Sequence, residues 1–148
     1  SWLSKKERKM QNIRTKPHVL IVDDDERIVD LIRRALLRRN YRVSVSFDGI
    51  DAEGAVNDSD IDVMILDVRM ESWDGPRLLR QLEETRRRIP TILITGQGTT
   101  MDDLTADRGE NVRYVFPKPL DLDRLIFAVD ALRHESDRAE PVAAGVRS

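Results

Sequence analysis

Apolar runs in this chain end on residues that can do chemistry. VLIV leads into Asp23, Asp24 and Asp25, VMIL into Asp67, TILI into Thr95 and YVFP into Lys118, while the shorter VSVSF precedes Asp48. Acid, acid, hydroxyl and ammonium, in that order, make a set suited to handling a phosphoryl group. Carboxylates gathered at one place repel one another unless a proton or cation neutralises them. Hard oxygen donors select Mg²⁺ or a relative such as Mn²⁺, which is commonly held by one or two carboxylates plus a phosphate. A lysine and a threonine hydroxyl beside that metal would stabilise the oxygens of a phosphoryl group in transfer, with Asp67 as the nucleophile.

Taken singly, each residue has a plainer use. An aspartate after a strand often shapes a turn or caps a helix, and Asp25 and Asp48 fit that use. Thr95 precedes Gly96, and Lys118 lies between Pro117 and Pro119, so either could serve a loop. Their joint occurrence at four strand ends favours the chemical reading.

The elements that must position them alternate regularly. Short apolar runs bounded by polar, Gly or Pro residues read as strands buried on both faces of a parallel sheet. Between them, Ile28, Leu31, Ile32, Ala35 and Leu36 recur at helical spacing, with Arg33, Arg34, Arg38 and Arg39 elsewhere on the wheel. Further strands are expected at Arg42–Phe47, Asp62–Leu66, Thr91–Ile94 and Val112–Phe116. Helices are expected at Ile50–Val56, Gly75–Arg88, Met101–Arg108 and Leu122–Leu132. The Arg86-Arg87-Arg88 run then falls near a helix carboxyl end, where cations suit the dipole. Five βα units of this kind predict a doubly wound α/β sheet of five parallel strands and five helices. Such sheets bind ligands at the carboxyl edge, beside the point where strand order reverses.

The 148 residues accommodate one compact domain, placed at residues 17–135, with 1–16 and 136–148 read as tails or linkers. The first segment is basic, carrying Lys5, Lys6, Arg8, Lys9, Arg14 and Lys16 against Glu7 alone, and the whole chain has net charge −2. The region between is therefore acidic and ill suited to non-specific nucleic-acid binding. Trp2, Leu3, Met10 and Ile13 would fit a short linker helix. No cysteine is present, compatible with a reducing cytoplasm, and no apolar stretch nears the roughly 20 residues that span a bilayer.

The strand-end residues resemble the receiver domains of two-component response regulators, of flavodoxin-like fold and strand order 2-1-3-4-5. The likeness rests on IVDDDE after the first strand, LDVRM followed by Asp74-Gly75, ITG at the fourth strand and Lys118-Pro119 after the fifth. Asp24, Asp67, Thr95 and Lys118 follow one another at intervals of 43, 28 and 23 residues, close to the family's spacing. The resemblance implies that Asp67 accepts a phosphoryl group from a histidine kinase or histidine phosphotransfer protein. It further implies Asp24, Asp67 and the Arg69 backbone carbonyl as direct metal ligands, Asp23 acting mainly through water, and Lys118 and Thr95 contacting the phosphoryl oxygens. A cis bond between Lys118 and Pro119 is also implied. The expected protein is a cytoplasmic signalling switch rather than an enzyme, with a homodimer through the face of helix four, strand five and helix five.

Departures from the family concern the outward signal and the lifetime of the phosphoform. Val115 stands where the fifth strand usually has an aromatic residue, with Tyr114 pointing to the opposite side of the strand. Glu71 replaces a common proline, Arg69 and Gln97 flank the path of attacking water, and Trp73 is read as an anchor under the loop. Two other readings remain: an interaction module that never takes phosphate, and a haloacid-dehalogenase-type phosphohydrolase suggested by Asp23-x-Asp25. The second leaves Asp67 without a task.

Overall fold

The computed structural model describes residues 4–7, 16–58, 60–70, 73–96 and 110–145. Their elements, in chain order, are β1 (His18–Val22), α1 (Glu26–Arg38), β2 (Arg42–Ser46), α2 (Gly49–Asp58), β3 (Val63–Asp67), β4 (Arg69–Met70), β5 (Trp73–Asp74), α3 (Gly75–Glu84), β6 (Thr91–Thr95), β7 (Val112–Pro117) and α4 (Leu122–Gly145). Five strands form one parallel sheet in the order β2-β1-β3-β6-β7. Counted among themselves these strands run 2-1-3-4-5, the flavodoxin-like arrangement expected. The antiparallel ribbon of β4 and β5 was not anticipated.

Strand side chains alternate between two apolar layers. Val19, Ile21, Val63, Ile65, Ile92 and Ile94 face one side, where Val29, Ile32 and Leu36 of α1 meet Leu125, Val129 and Leu132 of α4. Leu20, Val22, Met64, Leu66 and Leu93 face the other, against Ala52 and Val56 of α2 and Leu78, Leu79 and Leu82 of α3. The expectation of burial on both faces holds for β1, β3 and β6, which are buried throughout. It fails for β2 and β7, because these are the sheet edges and only partly covered.

Local chemistry sets the helix boundaries. Asp25 caps α1, its carboxylate accepting from the Arg27 N–H at 3.0 Å, and Asp48 caps α2 by accepting from Asp51 N–H at 2.8 Å. Ser4 and Glu7 make the reciprocal bonds of a capping box in the head. The helix expected over Gly75–Arg88 instead stops at Glu84. Arg86 takes a left-handed conformation with φ 57°, Arg86 N–H donates to Glu83 O at 3.1 Å and Arg87 N–H to Leu82 O at 2.9 Å. That double closure is a Schellman end, a place that favours glycine, and an arginine there costs about 1 kcal/mol. The three arginines therefore lie beyond the helix rather than in its last turn. In the opposite sense, α4 runs past the expected Leu132 and on through Pro141 to Gly145. The helix expected at Met101–Arg108, Glu71, Gln97 and the apolar residues Trp2, Leu3, Met10 and Ile13 lie outside the described residues. Among the described residues no helix is long and apolar enough to cross a membrane.

Candidate functional site

Strand order brings the chemical residues together. Asp23 follows β1, Asp67 ends β3, Thr95 ends β6 and Lys118 follows β7, and these four strands are consecutive neighbours in the sheet. The reversal of strand order falls between β1 and β3, where the two acids emerge. Asp23 and Asp67 are 1% and 2% exposed, so both carboxylates are nearly out of water. One oxygen each from Asp23, Asp24 and Asp67 lies within 4.8 Å of the others, with Asp24 on the exposed side.

The cluster is held from several directions. Asp25 N–H donates to Asp23 Oδ1 at 2.9 Å, so the residue that caps α1 also orients the buried acid. Lys118 Nζ donates to Asp67 Oδ2 at 3.1 Å. Thr95 Oγ1 makes a long bond of 3.5 Å to Phe116 O, and Lys118 N–H closes onto Thr95 O at 2.8 Å. Lys118-Pro119 is cis, as expected. The backbone of Arg69 begins the small ribbon two residues beyond Asp67, paired with Asp74.

Burial is the main cause that pushes the Asp23 carboxyl up to about 6, the Asp25 N–H opposes it, and the Asp67 charge adds to the rise. Burial alone would lower the Lys118 ammonium; the bond and charge of Asp67, joined by the charges of Asp23 and Asp25, turn the net shift upward. Asp23 Oδ2 is buried and accepts no hydrogen bond from the described residues. Buried polar atoms are nearly always satisfied, and this oxygen, in an all-carboxylate set, fits a hard divalent cation.

Beyond the site, β7 shows how Tyr114 and Val115 divide the strand. Val115 packs into the layer of α2 and α3, whereas Phe116 packs into that of α1 and α4. Tyr114 stacks on Phe116 with ring centroids 6.0 Å apart, confirming that it lies opposite Val115. A bulge between Thr91 and Ile92 resets the register so that Tyr114 pairs with Ile92, which no local pattern announces.

Residues 19–130 match the model of the response regulator receiver domain. The chain belongs to that family. The receiver is 33% identical to the protein PetR of Rhodobacter capsulatus over 116 residues, covering 78% of this chain and 48% of PetR. It is 31% identical to the response regulator MprA of Mycobacterium avium over 129 residues, 84% of this chain and 56% of MprA. The chain thus spans about half the length of these relatives. Among solved structures, the receiver domain of Francisella response regulator 1452 superposes with a TM-score of 0.71 at 27% identity, covering 82% of this chain and 99% of that one. The receiver domain of a putative LuxO repressor from Vibrio parahaemolyticus gives 0.79 at 21% identity, over 86% and 97%, a likeness of fold. The described sheet and helices are thus a receiver domain of the kind found in response regulators. The transcriptional regulatory protein GlrR of Escherichia coli is 29% identical over 80% of this chain but only 27% of GlrR. The relatives therefore lend no support to the expectation that this segment makes no direct contact with nucleic acid.

Proposed function

We propose that this receiver takes a phosphoryl group onto Asp67 from the phosphohistidine of a histidine kinase or histidine phosphotransfer protein. An Asp67 carboxylate oxygen forms the new bond to phosphorus as the phosphorus–nitrogen bond breaks and the imidazole departs. The observation that carries this reading is the Lys118 ammonium, 3.1 Å from the acceptor carboxylate, in a cluster whose Asp23 Oδ2 has no bond from the described residues.

Asp24, Asp67 and the Arg69 carbonyl are the residues that would hold Mg²⁺ directly, with Asp23 through water. Bound there, the metal would neutralise charge on the transferring oxygens. Lys118 supplies a second positive charge from the protein itself and fixes the rotamer of Asp67. Thr95 is poised to leave Phe116 O, a weak bond at 3.5 Å, for a phosphoryl oxygen. That exchange links the site to the backbone of β7 and to the Tyr114–Phe116 stack, in place of an aromatic rotamer change at Val115. The hydrolase reading is disfavoured because the lysine pairs with Asp67 and not with the Asp23-x-Asp25 pair. An output through dimerisation would use the β7 and α4 side; the segment expected as a helix at Met101–Arg108 lies outside the described residues.

Acetyl phosphate with Mg²⁺ tests the reading by intact mass. Wild type gains one phosphoryl group as acetate leaves, and Asp67→Asn gains none. A wild type that binds Mg²⁺ yet never gains mass would make this an interaction module.

A further inference from the structure

Between α1 and α4 runs a groove of about 430 Å³, its apolar lining given by Ala35, Leu122 and Ile126, with Phe127 at its lip 75% exposed. We propose that a second copy of this chain fills the groove, making a two-fold dimer in which each Phe127 enters the recess of the other copy.

The layout of charge along the groove selects that occupant. α1 follows β1 and α4 follows β7, two strands of one parallel sheet, so both helices run back from its carboxyl edge. Asp123, in the first turn of α4, therefore stands at one end of the groove, and Arg38, the last residue of α1, at the other. Among the described residues neither makes an ion pair. Arg39 and Asp130 also line the groove, but they are spent on each other at 2.7 Å. The unpaired charges are thus one of each sign, at opposite ends. A two-fold axis crossing the groove near Phe127 exchanges those ends and sets Arg38 of each copy against Asp123 of the other. An isologous interface requires this reciprocity, residue i meeting j while j meets i. A partner carrying one sign of charge would satisfy one end and be repelled at the other.

Shape is self-complementary in the same way, an apolar knob beside an apolar recess. Leu125, Ala128, Val129 and Leu132 bury the inner face of α4 in the core, and Phe127 takes no part in that packing. A central aromatic anchor flanked by charged pairs is the usual anatomy of a protein interface. The face uses α1 rather than β7, and the association needs no phosphoryl group on Asp67.

Sedimentation equilibrium of the full, unphosphorylated chain between about 1 μM and 1 mM should show monomer in exchange with dimer. Phe127→Ala should weaken association at least about tenfold and leave the melting temperature at the lowest concentration unchanged, because the ring lies outside the core. Arg38→Glu and Asp123→Lys should each shift the equilibrium toward monomer by placing like charges face to face. Combined, they should recover the dimer, since each pair is again opposite in sign, and that recovery separates this face from any other contact between copies. A chain that stays monomeric throughout would overturn the proposal and leave the groove to a different protein. A dimer indifferent to Phe127→Ala, or a double variant no better associated than either single one, would overturn it equally.

Discussion

Two carboxylate clusters in this molecule are built on opposite principles. Asp130, on α4, accepts a bond from the Tyr41 hydroxyl and another from Arg39 at 2.7 Å, while the Arg133 guanidinium lies 5.7 Å from the centre of the Tyr41 ring. Burial alone would raise its carboxyl, but the Tyr41 and Arg39 bonds outweigh that and hold it below the usual carboxylate range. Asp23 is buried beside another acid, keeps one oxygen without a bond from the described residues, and is pushed up to about 6, chiefly by burial. The first cluster completes itself and ties the end of α1 to α4. The second sets Lys118 against Asp67 but leaves Asp23 Oδ2 without a bond from the described residues. A chain that satisfies the one acid so fully and leaves the other wanting has divided stability from function between them.

Mutation should give opposite signs at the two places. Asp130→Ala strands the Tyr41 hydroxyl, 2% exposed at the residue level, and should cost about 2 kcal/mol in urea unfolding. Because the folded carboxyl is depressed, its contribution is present above the unfolded value near 4 and is lost as pH falls through the folded value. The difference between wild type and Asp130→Ala should therefore be level at neutral pH and shrink below about pH 4; a gap that persists undiminished in acid would mean packing, not charge, is what Asp130 supplies. Asp23→Asn removes a desolvated charge beside Asp67 and should stabilise the metal-free protein by about 1 kcal/mol. The same variant should bind Mg²⁺ about tenfold more weakly, as judged by titration calorimetry. Destabilisation of metal-free Asp23→Asn would show that the acid is already satisfied without a cation.

The contrast also explains what could be read from sequence. The site was legible because each of its residues is fixed by a local event, the end of an apolar run, and the sheet order then collects those ends. Asp25 was correctly taken as a cap, yet its second task, holding Asp23 through a backbone N–H, depends on a turn that residue type does not signal. Tyr41 and Asp130 are 89 residues apart, and no periodicity connects them. The early end of α3 was missed because the left-handed residue is Arg86 rather than the glycine that usually announces such a turn. The partial exposure of β2 and β7 follows from their edge positions, and an apolar strand sequence does not say which edge it will occupy.

The smallest expected effect probes how self-sufficient the Asp130 cluster is. Arg133 meets the Tyr41 ring as a cation over a π face, a contact worth about 0.5 kcal/mol where solvent still reaches the cation. Arg133→Leu keeps the aliphatic cover and removes the charge, so the Tyr41–Asp130 bond should survive and urea unfolding should shift by no more than about that amount. The Arg39 pair alone would then be enough to balance Asp130. If Arg133→Leu instead costs as much as Asp130→Ala, the hydroxyl and carboxylate do not complete each other. Asp130 would then depend on a neighbouring cation as Asp23 does, and the division drawn between the two clusters would fail.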